Sequence, residues 1–311
     1  MRSSTFHGPL VDSYGRPVDS LRVSVTYQCN YRCIFCHAEG LHSTSGERDL
    51  LDPGDYEFIA EVLSEFNVRY YKLTGGEPLL RRDIHEIVAG LKKYAEEVSL
   101  VTNGSLLLEK AKLLAEAGLD RLNVSLHAIR SETYEYVTGG SKLLSRVLAG
   151  VDEALKHGLK VKLNFLLLRS NVEELPRVLE YAMLRGLSIN IIELEPIGVP
   201  RDVYLREHVP VSSVLDYLEK LSVEKQRRGF QNRPVYVLPG GVKVEIVVGF
   251  QNKYLCSTCT RLRLTPDGCF KTCLYVDNPV VCVFDAVKRR DRSELAELFK
   301  KAVNLRKPYF T

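Results

Sequence analysis

Residues 29 to 36 read CNYRCIFC, three cysteines spaced C-x3-C-x2-C directly after the apolar run LRVSVT. Three thiolates are one more than a disulfide needs and one fewer than a tetrahedral zinc site takes, unless His37 completes a site of three cysteines and one histidine. On a four-iron, four-sulfur cluster the same three cysteines leave one iron open to another ligand, because a fully protein-bound cluster takes four. Cys29, Cys33 and Cys36 follow a strand-like run, at the edge where βα barrels place their chemistry. A second group lies in CSTCTRLRLTPDGCFKTC, where Cys256 and Cys259 form a C-x2-C pair and Cys273 follows after thirteen residues. Cys269 is an alternative third ligand there, with Cys282 further off, and the segment by itself also suits a zinc ribbon. If they are not ligands, Cys269 and Cys282 are ordinary small buried hydrophobes. Between the two groups stands LTGGEP, residues 73 to 78. Its glycines let backbone approach a ligand closely and Glu77 can accept from an ammonium group, although a tight βα turn would use the same residues.

Charges add a second theme. Arg22, Lys72 and Lys162 fall at strand positions with apolar neighbours, where an unpaired buried charge is costly. Arg261 and Arg263, two apart on a strand, share one face. Singly, such residues are more often solvated surface charges. Together they describe a socket for a polyanion, with arginine suited to bidentate phosphate contacts.

The elements that must position these groups follow from the pattern. Six β-branched runs, at 21–26, 68–74, 98–103, 120–127, 160–168 and 188–195, alternate with amphipathic segments such as DYEFIAEVLSEF and VEELPRVLEYAMLRG. Gly118 and Gly186 are expected helix stops. This order predicts parallel strands with helical crossovers. Six units are too few for an eight-stranded barrel, so the sheet is open or is closed by something else. After about residue 228 the pattern changes to two hairpins, around Pro-Gly-Gly and Pro-Asp-Gly. The expected fold is α/β, a partial (βα)6 TIM-type barrel over 1–228 followed by a small cysteine-bearing β-rich domain over 229–311.

The 311 residues are 45% hydrophobic with a net charge of +4. That charge is mild for a nucleic-acid coat. No run of about 18 apolar residues and no secretory h-region stand out, which predicts a cytoplasmic protein without membrane partners. Eight cysteines in such a chain read as metal ligands rather than as a disulfide framework.

The C-x3-C-x2-C group after the first strand, with GGEP after the second, resembles the radical S-adenosylmethionine (SAM) superfamily. From about Arg22 to Tyr275, adding LTGGEPLLRRDI, C-x2-C-x13-C and RLRLTPDG, the chain resembles within it the family of molybdenum cofactor biosynthesis protein A, the GTP 3′,8-cyclases. The resemblance implies two [4Fe-4S] clusters, one on Cys29, Cys33 and Cys36 whose open iron chelates SAM, the other on Cys256, Cys259 and Cys273 whose open iron meets guanine. It implies SAM contacts from Phe35, Gly76, Glu77, Ser125 and Glu195, and GTP contacts from Arg22, Lys72, Thr102, Lys162, Arg261, Leu262 and Arg263. By the same resemblance no side chain is expected to be catalytic, since the radical is generated by the cofactor. The implied reaction is abstraction of the hydrogen at the ribose 3′ carbon, then attack of that carbon radical on carbon 8 of guanine to give 3′,8-cyclo-7,8-dihydroguanosine triphosphate. An external one-electron donor, product transfer to a downstream cyclic pyranopterin synthase and a homodimer are also implied.

The chain departs from the family pattern at several places. Lys72 stands for an arginine, Tyr70 for a lysine, Asn190 for a phosphate-binding arginine, Glu195 for a methionine and Thr260 for an asparagine. Arg201, Lys243 and Lys271 are the candidates for restoring the lost charge. The tail, LRKPYFT, lacks the family's terminal Gly-Gly. Two other functions compete: a different two-cluster radical enzyme such as a peptide maturase, and a zinc-ribbon nucleic-acid binding protein. The C-terminal cysteine spacing with RLRL argues against the maturase, and the ribbon leaves GGEP unexplained.

Overall fold

Alternation of strand and helix begins at β1 (Ser20–Ser24) and runs through α1 (Pro53–Ser64), β2 (Tyr70–Thr74), α2 (Ile84–Lys92), β3 (Glu97–Thr102), α3 (Leu107–Glu116) and β4 (Arg121–Ser125). It continues through α4 (Ser131–Thr138), α5 (Leu144–Lys156), β5 (Lys160–Leu167), α6 (Leu175–Leu184) and β6 (Ser188–Glu193). The computed structural model describes residues 8–40, 51–140, 142–229, 232–275 and 281–310. Local chemistry explains the boundaries. Asp52 caps α1 in a reciprocal capping box with Asp55, and Pro53 opens the helix. In α5 the buried Leu144, Val147, Val151 and Ala154 recur at helical spacing, which lays one face on the sheet. Gly118 and Gly186, at φ +85° and +66°, end α3 and α6 in the left-handed conformation expected of helix stops.

The six strands pair in parallel in chain order, and the later strands answer what flanks them. β7 (Glu224–Arg227), β8 (Pro234–Val237) and β9 (Lys243–Val247) form an antiparallel run whose last strand lies parallel beside β6. β10 (Arg261–Leu264) lies parallel beside β1 and continues into antiparallel β11 (Cys269–Lys271) and β12 (Val281–Cys282). The sheet order is therefore β12-β11-β10-β1-β2-β3-β4-β5-β6-β9-β8-β7. Both expected hairpins exist, and each supplies a parallel strand to one edge of the six. The outer faces of these strands pack on the helices in one core that includes Leu21, Leu73, Leu100, Leu122, Leu163 and Ile189. No helix among the described residues is long and apolar enough to cross a membrane.

Two cysteines correct the expectation made for them. Cys269 and Cys282, taken as a spare ligand or as small buried hydrophobes, face each other across β11 and β12 and form a disulfide. The antiparallel register puts them opposite one another, which sequence spacing alone does not show. The other six cysteines are free thiols.

Candidate active site

The first cysteine group occupies the loop after β1. The loop is pinned to the end of α4, where Arg32 N donates to Thr138 O at 3.1 Å and Ile34 N to Val137 O at 3.1 Å. Backbone N–H groups of Tyr31 and Ala38 point at Cys29 Sγ and Cys36 Sγ, each at 3.4 Å. Burial, then the neighbouring Cys36 and Cys29, pushes the Cys33 thiol up to about 12, and burial also raises Cys29. Coordination to a cationic metal centre reverses that balance, because a coordinating thiol is deprotonated. His37 Nδ1 accepts from Glu39 N at 3.0 Å. Among the described residues no three His, Cys, Asp or Glu side chains converge on a point that would hold a single ion.

GGEP serves as a turn and as part of the site wall at once. Gly76 N donates to Thr26 O at 2.8 Å and Glu77 N to Gln28 O at 2.7 Å, laying this backbone on the approach to the cysteine loop. A Cβ on Gly76 would stand 2.0 Å from Gln28 O, so only glycine permits that approach. The buried Glu77 carboxylate accepts from Leu79 N at 2.9 Å, Thr102 Oγ1 at 2.6 Å and Asn103 N at 2.7 Å. Burial outweighs these bonds and pushes its pKa up to about 7. Phe35 meets His127 edge to face at 4.8 Å, and Tyr275 donates to Glu195 at 3.2 Å. Burial raises the Glu195 pKa. Phe35, Gly76, Glu77, Ser125 and Glu195 all line one cavity of about 390 Å³ together with Cys29, Cys33, Cys36, Cys259 and Cys273.

A second cavity, of about 520 Å³, opens from the N-terminal ends of the strands and shares Arg22, Asn164, Arg233 and Arg261 with the first. Sheet register explains its charge. Arg263 lies opposite Arg22, Arg22 opposite Lys72, Lys72 opposite Ser99 and Ser99 opposite Arg121, and register partners on parallel strands share a face. Burial and then the neighbouring Arg22, Arg121 and Arg261 drive the Lys72 pKa well below its usual value. Lys162 pairs with Glu245 at 2.8 Å, and that carboxylate also holds Arg228 at 3.2 Å and Arg233 at 3.6 Å. Asn123 and Asn190 also line this cavity, and their buried Oδ1 atoms have no hydrogen-bond partner among the described residues.

The structure separates some residues that the sequence grouped. Thr102 lines the cysteine-bearing cavity rather than the wider basic one, and its hydroxyl is bonded to Glu77. Leu262 turns into the hydrophobic core between Arg261 and Arg263 and lines neither cavity. Arg201, Lys243 and Lys271, the candidates for restoring lost charge, line neither cavity: the first two are exposed and the third is fully buried on β11. Arg121, Arg228 and Arg233 line the basic cavity instead. Arg121 could have been found from its place on β4, whereas Arg228 and Arg233 lie beside a turn and carry no local signal.

Glu39 was also missed. It accepts from Arg22 at 2.7 Å, Thr74 at 2.9 Å and Arg263 at 2.6 Å. Ala38 and Glu39 both adopt positive φ, 46° and 54°, turning this carboxylate back under the loop. Burial pushes the Glu39 carboxyl up, but Arg22 and Arg263 outweigh it and hold the group well below its ordinary value of 4.5. Glu39→Gln is expected to lower stability by about 3 kcal/mol by leaving two guanidiniums short of a counter-charge. Because the folded-state pKa is depressed, the contribution is full above the ordinary value and shrinks as acid titrates the unfolded chain. Thermal unfolding should therefore show a wide gap between variant and parent at pH 7 that narrows below about pH 4.5.

The second cysteine group spans a short helix, Lys253–Ser257, capped by Asn252, and the turns after it and after β11. Burial raises the Cys273 pKa. Arg16 donates to Cys256 O at 2.8 Å, and Arg306 donates to Cys259 O.

Comparison with known proteins adds independent findings. The radical SAM superfamily model matches residues 23–182, and the Molybdenum Cofactor Synthesis C model matches residues 187–311. A Thermococcus kodakarensis protein named probable GTP 3′,8-cyclase is 42% identical over 97% of this chain and 99% of its own length. A Saccharolobus solfataricus protein of the same name is 41% identical over 97% and 99%. Among solved structures, Streptococcus suis SuiB bound to S-adenosylmethionine superposes with a TM-score of 0.66 at 13% identity, covering 92% of this chain and 69% of that one. Native anSMEcpe with bound AdoMet gives 0.59 at 17% identity, over 90% and 82%. At such identities the two structures speak for the fold.

Proposed function

The chain belongs to the radical SAM superfamily and, within it, to the GTP 3′,8-cyclase family, and on that premise we propose how its own residues divide the work. The protein is a lyase that converts GTP to (8S)-3′,8-cyclo-7,8-dihydroguanosine 5′-triphosphate, the first step of molybdenum cofactor biosynthesis. Its cofactors are SAM and iron-sulfur; that it carries two [4Fe-4S] clusters is our reading of the two cysteine groups. When bound, SAM on the open iron of the first cluster supplies a 5′-deoxyadenosyl radical upon one-electron reduction.

The observation that carries the assignment is a pair of adjoining cavities that share lining residues, one with free thiols of both groups and the other with a row of cations. Cys29, Cys33 and Cys36 hold the first cluster. Phe35 gives the adenine an apolar wall, while Gly76, Glu77, Ser125 and Glu195 surround the methionine part of SAM. Phe35, Leu166 and Leu194 keep water from the place where the radical is used. Cys256, Cys259 and Cys273 hold the second cluster against the base.

Arg22, Lys72, Lys162, Arg261 and Arg263 bind GTP, joined by Arg121, Arg228 and Arg233, which supply the charge missing at Tyr70 and Asn190. Thr102 contributes through the strand end it fixes, and Leu262 through its backbone. Glu39 keeps Arg22 and Arg263 paired and in place until substrate arrives. An external one-electron donor, product transfer to a cyclic pyranopterin synthase, a homodimer, a cytoplasmic location and a domain boundary near residue 228 complete the proposal.

Anaerobic reconstitution with iron and sulfide, followed by dithionite, SAM and GTP, tests it by mass spectrometry. About eight irons per chain, 5′-deoxyadenosine and an isomer of GTP are expected. 5′-Deoxyadenosine with GTP left intact would overturn the substrate assignment, and about four irons would overturn the second cluster.

A further inference from the structure

Cys256 and Cys259 sit where regular structure is sparse, and their backbone is held from the two ends of the chain. Asp12 is fully buried and receives both of its neighbours' charges. Arg16 binds Asp12 Oδ2 through Nε at 2.9 Å and Nη2 at 2.8 Å, leaving Nη1 to donate to Cys256 O at 2.8 Å. Arg306, with 1% of its side chain exposed, reaches the same Oδ2 at 3.4 Å and donates through Nη1 to Arg16 O at 3.1 Å. Its Nη2 donates to Cys259 O. Asp12 Oδ1 closes the network by accepting from Tyr14 N and Arg16 N, each at 3.0 Å.

Two buried guanidiniums share one carboxylate, so one positive charge is left over. Burying a charge is costly unless something nearby balances it. The balance lies one peptide away, in the thiolates that a bound cluster requires. The tail extends the same contact to the third ligand. Beyond Arg306, Tyr309 stacks on Tyr275 at 4.9 Å and Phe310 meets that ring edge-on at 4.9 Å, two residues past Cys273. Phe310 also meets Phe250 at 5.1 Å.

We propose that Asp12, Arg16 and the Arg306–Phe310 tail form a clasp of positioning residues for the second cluster. Arg16 and Arg306 fix the carbonyls of two ligand cysteines and supply the balancing charge. Tyr309 and Phe310 hold the turn that carries the third. The proposal rests on the second-cluster reading above. Orienting partners of this kind change metal affinity by about 10- to 100-fold when removed.

The test is anaerobic iron release from the reconstituted full-length chain to a chelator, comparing the parent with Arg16→Gln and Arg306→Gln. The expected result is that one four-iron population leaves about 10- to 100-fold faster in the variants. The other population should keep the parental rate and its SAM-induced change in the paramagnetic resonance signal. Equal release rates in variants and parent would overturn the clasp. A parent with only about four irons would instead overturn the second-cluster reading, a distinguishable failure. If Arg306→Gln does not fold, Arg306→Lys keeps a charge but cannot span both Asp12 and Cys259. Selective release is expected from it too, and parental release of both populations overturns the proposal.

Discussion

Cys33→Ala is expected to bring SAM cleavage down to the background of the cluster-free chain, with reconstituted iron falling from about eight to about four per molecule. The size of the effect follows from the ligand count. Three thiolates already leave one iron open, and a second missing ligand removes the site that holds SAM. Fold loss is a poor rival explanation, because the loop's anchors are backbone bonds. The Cys36 N–H to Cys33 O bond at 3.1 Å and the two bonds to the end of α4 need no thiol. Truncating a half-buried cysteine should cost about 1 kcal/mol. Mass spectrometry of 5′-deoxyadenosine reads the result directly, and parental cleavage in this variant would remove Cys33 from the ligand set.

The second large effect is expected from Arg263→Ala, which should keep SAM cleavage while losing cyclisation. Arg263 lies at the meeting point of the two halves: it lines the cysteine-bearing cavity, is the register partner of Arg22 and pairs with Glu39 at 2.6 Å. Removing it is expected to take one charge-assisted contact from the substrate, and it leaves Glu39 paired with Arg22 alone, so this part of the site goes from one net positive charge to none. Truncating a buried charged partner costs about 2–5 kcal/mol, or roughly 30- to several-thousandfold in kcat/KM for GTP. The first cluster and its SAM contacts are untouched, so 5′-deoxyadenosine should still form without product. Full cyclase activity in Arg263→Ala would show that the guanidinium serves only Glu39.

Much of this site was legible because its parts are local in sequence. The first three cysteines lie within eight residues, GGEP is contiguous, and strand periodicity alone put Arg22, Lys72, Lys162, Arg261 and Arg263 on inward faces. The six-strand pattern gave the barrel for the same reason, since each βα unit is written in neighbouring residues. What escaped depends on pairing between distant segments. Nothing near residue 269 signals that antiparallel β12 will place Cys282 opposite it. Glu39 gave no sign because its two arginine partners are 17 and 224 residues away and its third partner, Thr74, is 35 away. Arg228 and Arg233 come to the cavity only because the β7–β8 turn lies against its lumen. The choice of Arg201, Lys243 and Lys271 failed for the converse reason: charge near the motifs in sequence is not charge near the cavity in space.

The pairing of β1 with β10 bears on how the protein is made. Ser20 on β1 hydrogen-bonds Thr260, 240 residues later, and among the described residues that strand's outer edge is covered by β10. At about 5–20 residues per second, a ribosome leaves that edge bare for roughly 12 to 48 seconds. An open edge with unpaired N–H and C=O groups is a template for unwanted pairing. β1 is only five residues long and carries Arg22 at its centre, and short length and charge are the two properties that make a waiting edge a poor template. The arginine proposed to bind the nucleotide therefore guards the nascent chain first.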